Sequence, residues 1–110
     1  MAFDQALAAR VRGLLVGEGQ ITERPMFGGL AFMRDGQMYV TVGKNRLMLR
    51  VDPDMHDELV HRPGCTTVVM RGRPYRGWVR VTNDVVTTRE ALATWVALAT
   101  RYAAPAAPSR

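Results

Sequence analysis

Three short apolar segments lie between Leu30 and Val51 and are separated only by turn sequences. The first turn, Asp35-Gly36, is the strongest two-residue signal for a β-hairpin. The second turn, Gly43-Lys44-Asn45, again reverses the chain. Because connections this short join antiparallel neighbours, the three segments predict an antiparallel meander.

The alternation of side chains along these segments predicts which of them face the core. Val40 and Val42 fall on one face of their strand, and Tyr39 and Thr41 fall on the other. In the next segment the residues predicted to be buried are Leu47, Leu49 and Val51, and those predicted to point the opposite way are Arg46, Met48 and Arg50. We therefore expect a sheet with one buried face.

The rest of the chain predicts helices and two more strands around this meander. Apolar residues at spacings of three and four predict a helix over residues 3–16. Asp52-Pro53 and Thr87-Thr88-Arg89-Glu90 each mark the start of a further helix. The segments "TTVVM" and "GWVRV" predict a fourth and a fifth strand, joined by the turn "RGRPYRG".

The predicted order of elements is α-β-β-β-α-β-β-α. This order is typical of an α+β two-layer sandwich, with helices packed on one face of an antiparallel sheet. The 110 residues are enough for one core, and no repeat or linker marks a second, so we predict a single domain over residues 1–103. Residues 104–110 are rich in Ala and Pro and are predicted to be a flexible tail.

The composition excludes several classes of protein. A single cysteine, Cys65, excludes an intramolecular disulfide and a cysteine-rich metal site. The N-terminus does not resemble a signal peptide, and the apolar runs are too short to span a bilayer, so a cytoplasmic protein with no membrane partner is predicted. The formal net charge is +5, with 14 Arg against one Lys. That balance favours anionic partners, and it is also typical of GC-rich codon usage.

Residue types that carry catalysis or bind metals are sparse in this chain. The only serine is Ser109, in the predicted tail, which argues against a serine nucleophile in a folded site. His56 and His61 are five residues apart on a short helix and so lie on different faces, and Cys65 follows a Pro-Gly break. We predict no catalytic residue, no cofactor and no metal site. A small enzyme or metal binder that uses these three side chains is the last alternative.

The segment "MRGRPYRGWVR" is the strongest candidate for a binding surface. It places Arg71, Arg73, Arg76, Trp78 and Arg80 within ten positions, and strand alternation predicts that the last three share one face. Guanidinium and aromatic side chains together hold phosphates and stack on bases, so direct contact with nucleic acid is one interpretation. In the other interpretation the indole packs against the domain, and the guanidinium groups lie in water or pair with the acidic helix.

The stretch "RPMFGGLAF" raises a separate question, because its glycine pair could cradle a phosphate or bend the backbone into a strand. It lacks the Lys and the following helix of a phosphate loop, which favours the structural role. Together with "RLMLRVD" and "TTREALATWVALA", the stretch resembles the N-terminal domain of the TfoX/Sxy family. The residues that carry this resemblance as a structural signature are Met26, Phe27, Gly28, Gly29, Asp35 and Gly36.

The resemblance covers residues 2–100 and implies both a fold and a role. It implies an α+β fold like that of type III secretion chaperones, and a part in the transcriptional regulation of natural competence genes in bacteria. Regulators of the family carry a second, helical domain, so we expect this chain to be a stand-alone short form. The first hypothesis is a non-enzymatic regulatory or adaptor module that contacts an unidentified protein or a second copy of itself. Direct nucleic-acid binding through residues 71–80 is the alternative.

Overall fold

In a computed structural model, which describes residues 3–26 and 28–103, helices cover one face of a six-stranded sheet. The helices are α1 (Gln5–Leu14), α2 (His56–Leu59) and α3 (Arg89–Ala103), with 3-10 turns at Pro53–Met55 and Asn83–Val85. The strands are β1 (Ile21–Met26), β2 (Gly29–Arg34), β3 (Gln37–Val42), β4 (Arg46–Arg50), β5 (Cys65–Met70) and β6 (Arg73–Thr82). The predicted α+β class is confirmed, with one strand more than the sequence predicts.

The strands form a single antiparallel sheet in the order β1-β2-β3-β4-β6-β5. The first four strands follow one another as a meander, and β6 then inserts between β4 and β5. Asp35 and Gly36 join β2 to β3 with φ angles of 52° and 81°, and a type I′ turn requires positive φ at both positions. The hairpin predicted at this dipeptide is therefore confirmed.

Capping side chains fix where α1 and α3 begin. The Asp4 carboxylate accepts a hydrogen bond from the Leu7 backbone N–H at 3.0 Å, and the Thr88 hydroxyl accepts one from the Ala91 N–H at 3.1 Å. Both helices bury an apolar stripe against the sheet. The largest fully buried side chains of this core are Tyr39, Phe32, Leu7, Leu47, Leu49, Leu59 and Leu92.

β1 is the strand that the sequence does not predict. It lies at one edge of the sheet, most of its side chains are exposed, and it contains Pro25. An edge strand tolerates proline because no further strand needs its missing N–H donor. Glu23 and Arg24 add the charges that discourage further pairing, and Arg12 of α1 binds Glu23 through two contacts, one of 2.7 Å. A strand of this kind shows no apolar alternation that would reveal it.

A β-bulge overturns the predicted direction of Tyr39. Phe32 pairs with Val40 while Met33 pairs with Met38, so Tyr39 is an extra residue on β3. A bulge re-aims the side chain at the inserted position. Tyr39 accordingly joins the core and is 1% exposed. The prediction that it faces away from the core is wrong, because strict alternation holds only along an unbroken ladder.

Candidate functional site

The hairpin of β5 and β6 carries the arginine-rich segment. Its turn consists of Arg71 and Gly72, with φ angles of 53° and 75°, and pairing resumes at once between Met70 and Arg73. The prediction of a long turn over "RGRPYRG" is therefore wrong, because most of that segment belongs to β6. Arg71 and Arg73 stand exposed at the tip of the hairpin.

A bulge in β6 breaks the alternation on which the predicted arginine face depends. Thr67 on β5 pairs with Val79, yet its neighbour Val68 pairs with Tyr75, which leaves residues 76–78 as extra residues on β6. Side chains before and after such a bulge do not follow one continuous alternation. The faces of the arginines must therefore be taken from their contacts.

The Arg76 side chain does not lie on the sheet face that carries Trp78 and Arg80. Its Nη1 lies 2.9 Å from Oδ1 of Asp57 on α2. The hydrogen bond from Arg76, and then its charge, lower the pKa of the Asp57 carboxyl. The prediction that the three side chains share a face is wrong for Arg76, whose guanidinium pairs with the acidic helix. Trp78 and Arg80 lie next to β4, where they pair with Arg50 and Met48.

One row of paired residues marks the sheet face that the helices leave uncovered, here called the open face. The row crosses every strand and consists of Arg24, Ala31, Thr41, Met48, Arg80 and Thr66. Beside it lies an apolar cleft of about 160 Å³, lined by Met38, Thr41, Met48, Val68, Met70, Tyr75 and Trp78. The sheet and the β5–β6 hairpin together form this cleft.

The open face carries charge of one sign. The described strands contain a single acidic residue, Glu23, which pairs with Arg12 on the side of the helices. Arg24 and Arg80 on the open face form no ion pair within the described ranges, and the same holds for Arg73 at the hairpin tip. An anionic partner would therefore meet cations that no carboxylate of these strands neutralises.

Arg46 adds a partly buried cation to the open face. Its Nη1 donates a hydrogen bond to Thr41 Oγ1 at 3.3 Å. Burial, and then the nearby charge of Arg80, lower the pKa of the Arg46 guanidinium. Sequence reasoning did not include Arg46 or Met48 in the candidate site. In the sequence, Arg46 and Met48 alternate with the buried leucines of β4, and this alternation indicates that they lie on the opposite face of the strand.

His56 is buried and serves the fold. Its Nδ1 accepts a hydrogen bond from the Gly77 N–H at 3.0 Å, and its Nε2 lies 2.8 Å from Thr67 Oγ1. Because a backbone N–H can only donate, Nε2 carries the ring proton and donates to the Thr67 hydroxyl. Both ring nitrogens are thus used within the domain, and the ring holds the β6 bulge in place.

His61 and Cys65 do not complete a site with His56. His61 Nδ1 contacts the Asp57 carbonyl oxygen on the exposed surface. Cys65 lies in the core, where burial raises the pKa of its thiol to about 11, so the nucleophilic thiolate is scarce at neutral pH. Within residues 3–26 and 28–103, no group of three or more His, Cys, Asp or Glu is placed to hold a metal ion.

Gly28 and Gly29 meet different demands of the backbone. Gly28 has a φ angle of 70°, in the left-handed region that glycine tolerates best. A Cβ on Gly29 would collide with the carbonyl oxygen of Val42 on β3. Met26 pairs with Gly29 at the end of the β1–β2 hairpin, and Phe27 lies outside the described residues. Gly28 thus allows the turn between β1 and β2, and Gly29 allows the close approach of β2 to β3.

Together the fold and the site define a class, an α+β domain whose helices cover one face of an antiparallel sheet and leave a basic, apolar face uncovered. None of its helices, over the ranges that the structure describes, is long and apolar enough to cross a membrane.

Comparison with known proteins shows the family to which the chain belongs. The family model of the TfoX N-terminal domain matches residues 13–103. The chain therefore belongs to the TfoX N-terminal domain family, and the resemblance found in the sequence is confirmed. No curated protein matches the chain significantly.

Proposed function

We propose that this chain is a non-enzymatic regulatory or adaptor domain that binds an acidic, apolar segment of another protein on its open face. Its family supports a regulatory role, which we propose to be control of competence genes in a bacterial cytoplasm. The observation that carries the proposal is the apolar cleft bordered by arginines that lack carboxylate partners within the described ranges.

The chemistry of the open face specifies the kind of partner. Methionine side chains adapt to apolar surfaces of different shape, and Trp78 is of a type that dominates binding energy at protein interfaces. Arg46 and Arg80 are suited to two-pronged hydrogen bonds with carboxylates. The expected partner therefore presents an apolar side chain flanked by Asp or Glu.

The same charges disfavour a homodimer through this face. In a symmetric dimer the same patch of both copies meets, so the arginines of one open face would approach those of the other. Like charges placed together at an interface cost several kcal/mol. We therefore favour a different, acidic protein over a second copy as the occupant of the open face.

A pair of neighbouring substitutions on β5 tests the proposal. Met70 lines the cleft, while the adjacent Val69 is 61% exposed and is not among the lining residues. Affinity capture from the native cell after nuclease treatment is expected to retain a protein partner with the wild type and with Val69→Glu, and to lose it with Met70→Glu. Equal capture by Met70→Glu would contradict the proposal, provided that both variants unfold at the same denaturant concentration.

Direct nucleic-acid binding is the second candidate, favoured by Trp78 next to Arg80 on the open face. Arg80→Ala and Arg73→Ala are each expected to lower the slope of log affinity against log salt by about one unit. Arg76→Ala is the matched control, because its guanidinium already pairs with Asp57 and should change the slope less. The absence of any mobility shift at low salt would exclude this function and leave the protein-binding proposal intact.

A further inference from the structure

A second cleft, of about 310 Å³, lies where the ends of β2 and β4 and the start of β3 meet the last turn of α3. It is separate from the cleft on the open face, although Met38 borders both. Its polar lining residues are Arg34, Gln37, Tyr39, Arg50 and Tyr102. Cationic and phenolic donors thus converge here, and none of the described residues that line the cleft carries a carboxylate.

Two polar groups in this cleft are buried without a partner. The Tyr39 hydroxyl and Arg34 Nη1 are both shielded from solvent, and neither has a hydrogen-bond partner among the described residues. Tyr39 is only 1% exposed. Buried polar groups in folded proteins are nearly always hydrogen-bonded. The guanidinium N–H can only donate and the phenolic hydroxyl can donate, so one group that accepts hydrogen bonds would satisfy both.

Arg50 supplies a second guanidinium at the rim of the cleft. Its Nη1 donates to Gln37 Oε1 at 3.1 Å, and its Cζ lies 5.4 Å from the centroid of the Tyr102 ring. These contacts orient the group, and among the described residues only one of its N–H donors takes part in a hydrogen bond. A ligand would therefore meet a guanidinium that is already held in position.

The surrounding charges favour an anion as the acceptor. Burial raises the pKa of the Tyr39 hydroxyl. The charge of Arg34 lowers this pKa and the charge of Glu18 raises it, so both charges lie near the phenol. The C-terminal end of α3 adds a partial negative charge. Two guanidinium groups in the lining outweigh one carboxylate that lies outside it.

We propose that this cleft binds the phosphate group of a small phosphorylated molecule, with Arg34 and Tyr39 as buried donors and Arg50 as the donor at the rim. Planar guanidinium groups match phosphate through paired hydrogen bonds, and phosphate oxygens accept several donors at once. The volume of the cleft lies within the range of small-molecule sites, which leaves room for a group attached to the phosphate beside Tyr102. This proposal is independent of the function assigned to the open face.

Titration of the full chain with inorganic phosphate and with phenyl phosphate tests the site, with chloride used to keep the ionic strength constant. Saturable changes in amide chemical shift are expected at the end of β2, the start of β3 and the last turn of α3. Phenyl phosphate is expected to bind more tightly than inorganic phosphate because its ring contacts the apolar part of the cleft. Shift changes that do not saturate, or that follow chloride equally, would overturn the proposal.

Two variants in the cleft and two matched controls identify the donors. Arg34→Gln and Tyr39→Phe are each expected to weaken phosphate binding about tenfold, the usual effect of losing a hydrogen bond to a charged group. The controls Arg76→Gln and Tyr75→Phe lie outside this cleft and are expected to bind phosphate as the wild type does. Unchanged affinity in both cleft variants would overturn the assignment.

The stability of Tyr39→Phe provides a measurement that does not depend on Arg34→Gln being folded. Without phosphate, Tyr39→Phe is expected to be at least as stable as the wild type, because it removes a buried hydroxyl that has no partner. With phosphate, the wild type is expected to gain more in melting temperature than the variant. A variant that is much less stable without phosphate would show that the hydroxyl has a partner in the domain, and the site would be rejected.

Discussion

The covered face and the open face of the sheet are built from two neighbouring rows of paired residues that cross all six strands. The covered row consists of Glu23, Phe32, Val40, Leu49, Val79 and Thr67, and the open row consists of Arg24, Ala31, Thr41, Met48, Arg80 and Thr66. The four central residues of the covered row are apolar and 0% exposed. The open row is partly buried as well, with Ala31 at 0% and Thr41 at 3%.

What separates the two rows is the pairing of their polar side chains. On the covered side Arg12 binds Glu23, and His56 binds Thr67, so both ends of the row are closed by the helices. On the open side Arg24 and Arg80 form no hydrogen bond or ion pair through their side chains within the described ranges. Burial alone does not separate the two faces, whereas the pairing of their charged side chains does.

The largest effect is expected from shortening a side chain at the centre of the covered row. Leu49→Ala leaves a cavity between sheet and helices and is expected to lower the free energy of unfolding by about 3 kcal/mol. Met48→Ala, one residue away on the open row, is expected to cost about 1 kcal/mol or less because its side chain is only half-buried. Urea unfolding of the two variants measures the difference. Equal losses would mean that the open face is packed as tightly as the core.

An intermediate effect is expected at the Thr67 end of the covered row. His56→Ala leaves the Gly77 N–H without its acceptor and is expected to cost about 2 kcal/mol. His61→Ala is the matched control, because that ring lies on the surface and is expected to change stability by less than about 0.5 kcal/mol. Thermal unfolding distinguishes the two. A neutral His56→Ala would show that the helix layer does not close this end of the row.

The smallest effect is expected at the Glu23 end, where the ion pair with Arg12 is exposed. Hydrogen bonding from Arg12 lowers the pKa of Glu23, so its contribution to stability is present at neutral pH and is lost as the pH falls through the lowered value. Glu23→Gln is expected to cost about 0.5 kcal/mol at neutral pH and to flatten the loss of stability in acid. Arg24→Gln on the open row is expected to change neither the stability at neutral pH nor its loss in acid. The unfolding midpoint measured as a function of pH checks both expectations.

The parts of the fold that the sequence predicts are those where local chemistry and tertiary structure agree. Asp35-Gly36 forms the hairpin turn expected of it, and Thr88 caps α3 within the predicted start Thr87-Thr88-Arg89-Glu90. β1 could not be predicted, because an edge strand is selected against further pairing and Pro25 reads as a break. Strand propensity describes the conformation that a segment favours on its own. In an edge strand, the need to avoid pairing with other chains outweighs that propensity in the choice of residues.

The candidate site is predicted less well, in part because bulges set the directions of two side chains, Tyr39 and Arg76. Alternation assigns Tyr39 to the open face and Arg76 to the face of Arg80, and a register shift in each strand reverses these positions. Gly77, with a φ angle of 95°, marks the second shift, and a glycine inside a strand pattern is a known signal for a bulge. No comparable residue marks the first.

The bulge in β3 also determines which changes in chain length the sheet tolerates. Deletion of Tyr39 would restore an unbroken ladder between β2 and β3 and leave the other residues of β3 on their present faces. Deletion of Thr41 would instead move Val40 from the core to the open face. Variation in the length of β3 among related chains is therefore expected to be confined to the bulge. A chain without the extra residue would keep the fold and lose the buried hydroxyl of the proposed phosphate site.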